Sequence, residues 1–127
     1  MAAAFASAEA NATVLLNTFA PLNATPGPNY HLNNGSVSGP GNGQSLAVPF
    51  TAGAAVTVDS ILAAISGTGS VTLGIMADAS GVPSNVYLHS TILTDPAANV
   101  SLAGLGWALA AGDYWLAAIG VDPYDGN

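Results

Sequence analysis

The sequence predicts an all-β protein, a single antiparallel β-sandwich of jelly-roll-like kind, and three observations carry that expectation. From Ser45 onward, short runs of alternating apolar residues recur, each bounded by Gly, Pro, Asn or Asp. Period two between turn residues marks half-buried strands. No segment keeps a convincing helical period. One stretch differs from the rest: Leu109 to Ile119 turns at Gly112-Asp113 and then runs apolar on both faces from Tyr114. A short run of that kind is a central strand covered on both sides, with Tyr114 and Trp115 pointing opposite ways into packed layers.

The start of the chain, residues 1–12, is Ala-rich, and Ala6-Ser7-Ala8 has the small-residue form of a signal-peptidase site. It reads as a signal-peptide remnant or a flexible tail, ahead of a sandwich domain over 13–127. Thr13 to Phe19 is the first strand candidate. Residues 20–43 hold four of the eight prolines and Asn33-Asn34-Gly35, which predicts a long loop with one short strand at Tyr30–Leu32.

Ser45 to Thr51 places Leu46, Val48 and Phe50 on one face, and Pro49 marks it as an edge strand or a bulge. In Ala55 to Ile65 the apolar residues change phase, from Val56 and Val58 to Ile61, Ala63 and Ile65, which predicts a β-bulge at Asp59–Ser60. Residues 66–69 read as a turn. Val71, Leu73, Ile75 and Ala77 then point inward. Asp78 to Ser84 is a turn cluster. Asn85 to Leu93 has Val86, Leu88 and Ile92 on one face and Tyr87, His89 and Thr91 on the other, and His89 reads as an exposed outer-face residue. After Thr94-Asp95-Pro96, a second phase change across Gly104 separates Val100 and Leu102 from Leu105, Trp107 and Leu109. Seven strands result, with Trp115, Tyr114, Trp107, Leu73, Ile75, Val58 and Phe50 in or beside the core. Residues 122–127 read as a turn, with a closing strand missing from this chain or supplied by a neighbour.

Charge limits the partners. Seven acids and no Lys or Arg give a net charge of −7. Without cations the chain cannot release counterions from phosphate, which excludes nucleic acid, and an anionic membrane surface repels it. The absence of cysteine rules out a disulfide framework.

Chemistry is sparse. There is no Cys or Lys nucleophile and no nucleophile elbow, and the two histidines, His31 and His89, have no partner at a recognisable spacing. Six of the seven acids fall at turns, strand ends or the N-terminal tail, and only Asp59 stands apart, so glycoside hydrolysis is a remote alternative. No cofactor is implied. Asp122, Asp125 and Asn127 around Gly126, together with Asp78, are weak calcium candidates without the spacing of a calcium loop. Asn11, Asn23, Asn34 and Asn99 head glycosylation sequons, as chance provides in so Asn-rich a chain. The chain is expected not to be an enzyme.

Several pieces, in order, carry a family resemblance: Val14-Leu-Leu-Asn-Thr-Phe19, Gly27-Pro-Asn-Tyr30, Gln44 to Thr51, Val56 to Ile61, Gly69 to Leu73, Asp78 to Pro83 and, most specific, Leu109-Ala-Ala-Gly-Asp-Tyr-Trp-Leu116. Across these the chain resembles the choice-of-anchor R type of bacterial extracellular domain, found in exported proteins that often carry a PEP-CTERM sorting signal; that signal is not present in this sequence. The resemblance implies secretion, a cell-surface or biofilm-matrix location and a β-sandwich, and it brings no catalytic residues. Two expectations follow for partners. With no Lys to block edge pairing, Thr13, Val14, Leu15, Leu16 and Phe19 form a donor strand that completes a neighbour's sheet and builds a filament, against the competing expectation of a monomer whose own N-terminal strand folds back. Alternatively the chain is a carbohydrate-binding module for extracellular polysaccharide, with Tyr30, Tyr87 and Tyr124 stacking on sugar faces.

Overall fold

The computed structural model describes residues 14–16, 32–34 and 45–126, of which 32–34 and 122–126 are described by backbone alone. The described chain is all strand: β1 (Leu32–Asn34), β2 (Leu46–Ala52), β3 (Val56–Val58), β4 (Ile61–Ala63), β5 (Gly67–Asp78), β6 (Pro83–Thr94), β7 (Val100–Leu102), β8 (Trp107–Leu109) and β9 (Gly112–Gly126). Every pairing is antiparallel. One layer is a five-stranded sheet in the order β1-β9-β5-β6, with β2 also paired to β9; β3-β8 and β4-β7 form two small two-stranded sheets. The fold is the all-β sandwich that the alternation predicts.

Burial explains the layers. On β5, Val71, Leu73 and Ile75 are exposed by 2 % or less, and they share a face with Tyr114, Leu116 and Ala118 of β9. That face packs in two clusters against the small sheets. In one, Val71, Leu73 and Ala118 meet Ala63, Ile65, Ile61 and Leu102; in the other, Ile75 and Tyr114 meet Trp107, Leu109, Val56 and Val58. Each such aliphatic side chain contributes about 1.5–3 kcal/mol by leaving water. Phe50 lies beside the core, its ring 5.8 Å from that of Tyr114.

The central position expected for the Tyr114 run is correct, but the packed layer expected on its Trp115 side is not: Tyr114 packs in the core, while Trp115 belongs to neither core cluster and faces the open outer side. β9 has β5 on one side and β2, then β1, on the other. Pro49 sits, as its missing N–H requires, on a strand that pairs with β9 alone among the described strands.

Several expectations need correction. The two phase changes are breaks instead of bulges: β3 pairs with β8 and β4 with β7, so at Asp59–Ser60 the chain passes from one small sheet to the other. The break at Ala103–Gly106 answers it, with Gly104 and Gly106 at positive φ, and Leu105 N–H donates to Asp59 O at 2.9 Å. Six of the seven expected strands, all but Thr13–Phe19, thereby become eight, and β1 makes nine among the described residues. Gly67–Gly69 belongs to β5, where Gly69 at φ 99° accommodates a register shift against β9. Residues 122–126 continue β9 as strand, because β1 and β5 supply partners on both sides. Asp122 and Pro123 fall within that same register shift, so the proline's missing donor costs no β5 ladder bond. The short strand inside the long loop lies at Leu32–Asn34, not Tyr30–Leu32. Residues 14–16 are not strand: no described strand pairs with them, and Val14 is 73 % exposed.

Candidate functional site

The outer face of the large sheet and its β6 edge carry the polar and exposed features. Across β5 and β6 the register runs Val71↔Leu93, Thr72↔Ile92, Leu73↔Thr91 and Ile75↔His89, then slips to Met76↔Tyr87. The slip leaves Leu88 as the extra residue of a bulge. His89 therefore faces the core side, against the sequence expectation. It is half-buried, its ring stacks on Trp107 at 5.7 Å, and its Nε2–H donates to Ala108 O at 2.8 Å. Val86, Leu88 and Ile92, the apolar set of β6, are exposed by 66 %, 50 % and 63 %. β5 is the one described neighbour of β6.

Tyr87 lies on the outer face. A Cβ on Gly74 would fall 2.7 Å from its ring carbon Cδ1, so the ring covers a position that only glycine can occupy. Its hydroxyl donates to Thr72 O at 3.2 Å, and burial pushes its pKa up to about 12. A ring committed to its own sheet in this way offers little to a sugar.

Trp115 points to the outer face as well, opposite Tyr114, and belongs to neither inner cluster. Its indole Nε1–H donates to Asp78 Oδ1 at 2.7 Å. Asp78 Oδ2 accepts from Gly81 N–H at 2.9 Å, closing the β5–β6 turn in which Ser80 and Gly81 take positive φ. The Gly81 amide first, and the Trp115 indole second, hold the Asp78 carboxyl below its ordinary range. One strand step along, Thr51 Oγ1–H donates to Asp113 Oδ1 at 2.6 Å across the β2–β9 pair. Pro49, Thr51, Asp78, Gly81, Asp113 and Trp115 line an open cleft of about 490 Å³.

The remaining candidates are scattered. Asp59 is exposed at the β3–β4 break. Asp78 uses both carboxylate oxygens within its own turn and ladder, and Asp122 and Asp125 lie in extended strand rather than in a turn. Among the described residues no three His, Cys, Asp or Glu gather as metal ligands. Tyr124 pairs through its backbone with Asn34 and Gly69. Leu15 and Leu16 are half-buried beside exposed Val14. Thr13, Phe19, Tyr30, His31 and Asn127 lie outside the described residues. Asn99, at φ 60°, is exposed ahead of β7. The Trp115–Asp78 pair was not expected: a tryptophan in an apolar run looks like core, and the turn aspartate that meets it lies far away in sequence. No helix among the described residues is long and apolar enough to cross a membrane. No family model, curated protein or solved structure matches this chain.

Proposed function

We propose that this chain is a non-catalytic extracellular structural protein of bacterial surface or biofilm-matrix type, akin to the choice-of-anchor R domains, that self-assembles by strand exchange. The observation that carries the reading is the β6 edge. It is 12 residues long, contains no Asp or Glu, and turns Val86, Leu88 and Ile92 to solvent. A sheet edge of that kind templates pairing unless charges, prolines or bulges protect it. Ser84 and the bulge protect only its first half: the Ser84 hydroxyl occupies both the N–H and the carbonyl of Val86. His89 to Thr94 is regular and is the acceptor for the Thr13–Phe19 segment of another copy, which becomes strand only on pairing there. Such an exchange is head-to-tail and builds an open filament.

Light scattering of the intact chain at high concentration, in acid where carboxylate repulsion is gone, tests the reading. The expected result is large assemblies, reduced to monomer by Ile92→Lys. An intact chain that stays a 12.4 kDa monomer under those conditions rules it out.

A further inference from the structure

The outer-face cleft offers a binding site distinct from the β6 edge. It is lined by Trp115, by Pro49 at the paired position on β2, by the Thr51–Asp113 pair and by Asp78 at the β5–β6 turn. Three properties limit what such a cleft takes.

The first is an oriented aromatic face. The 2.7 Å bond from Nε1 to Asp78 fixes the indole, while Tyr114 on the same strand is spent in the core. A ring held in place loses little entropy when a flat apolar surface stacks on it. The second is the sign of the polar groups. Asp78 and Asp113 are acceptors, Thr51 is a hydroxyl already donating inward, and no Lys or Arg exists anywhere in the chain. Each carboxylate oxygen has two acceptor sites, so both acids retain capacity beyond their internal bonds. The cleft therefore favours a ligand rich in donors and carrying no negative charge. The third is access: the cleft opens to solvent, which suits part of a long ligand better than enclosing a small one.

Flat C–H faces edged by hydroxyl donors, without anionic groups, describe a neutral saccharide. We infer that the Trp115 cleft binds a short stretch of neutral polysaccharide, its pyranose face stacked on the indole and its hydroxyls donating to Asp113 and Asp78. The tyrosines are not required. Tyr87 sits two strands away on the same face, roughly 10 Å off by strand spacing, with Met76 in register between them and its own ring laid on Gly74.

The test is tryptophan fluorescence of the intact chain titrated with neutral hexasaccharides of glucose, xylose and N-acetylglucosamine, with an oligogalacturonate as the anionic comparison. At least one neutral hexasaccharide is expected to give a saturable change, and oligogalacturonate none. Trp115→Ala is expected to weaken binding by about tenfold or more, read by calorimetry because the reporter is lost. Asp113→Asn, at an exposed position that cannot disturb the core, is expected to weaken it several-fold. The Trp107→Phe chain is expected to keep the fluorescence response, which places the signal at Trp115. No saturable response to any neutral hexasaccharide overturns the inference, as does equal binding of oligogalacturonate, or binding unchanged in both Trp115→Ala and Asp113→Asn. Repeating the titration on Ile92→Lys separates this site from self-assembly, since each can fail while the other stands.

Discussion

Strands β5 and β6 form one hairpin, and in sequence they look alike: both alternate apolar and polar residues over a dozen positions. They end up opposite. The apolar set of β5 is among the most deeply buried of the described residues, whereas that of β6 lies in solvent; His89 and Thr91 turn toward the core, and Tyr87 lies on the outer face against Gly74. Neighbours account for the difference. β5 has a strand on each side and the small sheets across its inner face. β6 has one neighbour among the described strands and a bulge at Leu88, and the one-residue slip there fixes which face each side chain takes. Alternation gives the period of a strand; its partners decide which face is inside.

The largest expected effect is at the centre of β5. Ile75→Ala removes a side chain 1 % exposed and leaves a cavity beneath Trp107 and Tyr114, costing about 2–5 kcal/mol. The same change at Ile92 is expected to cost no more than about 0.5 kcal/mol. Urea unfolding of the two variants measures both, and equal losses would erase the contrast.

Gly74→Ala comes next, because it strikes the seam between the two strands. The new Cβ would lie 2.3 Å from His89 O and 2.8 Å from Ser90 Cβ. A backbone carbonyl in the ladder can retreat only by parting the hairpin, so the loss is expected at about 1–3 kcal/mol. A stable Gly74→Ala chain with unchanged unfolding would show that the ladder yields there.

Of the three losses the smallest is Tyr87→Phe, which removes the bond to Thr72 O for about 0.5–1.5 kcal/mol. Its signature lies in alkali. The folded phenol titrates at about 12, above its ordinary value of 10.0. Its contribution is therefore full below the unfolded value and is lost as pH rises through that interval toward the folded one. Wild-type stability should fall across this window, and Tyr87→Phe should lack that part of the decline.

The same contrast explains what the sequence could show. The positions of β2, β5, β6 and the first half of β9 were legible because alternation and turn residues are local signals. The inside of β5 was legible too, since all its odd positions from Val71 to Ile75 are aliphatic. The side of His89 and the open setting of Trp115 were not, although the sequence did turn Trp115 away from Tyr114: each depends on a residue far off in sequence, Trp107 for one and Asp78 for the other. A phase change at Asp59–Ser60 reads the same whether one strand bulges or two strands part company, and only the pairing with β7 and β8 tells them apart. In the candidate cleft, Asp78 read as a turn residue, which it is, and its bond to the indole had no local trace.

The long final strand has a consequence for how the molecule comes into being. β9 is the shared partner of β1, β2 and β5, and it is the last described element to leave the ribosome. Of the described pairings only β5–β6 joins successive strands; the others must wait for chain made much later. Such a topology folds slowly, because each closure spends loop entropy before it gains contacts. The growing chain therefore holds a lone hairpin, which is marginal in water, until β7 and β8 arrive to pair with β4 and β3, and the large sheet waits for β9. A polypeptide whose large sheet cannot close before β9 is made stays threadable through a narrow pore until that strand emerges.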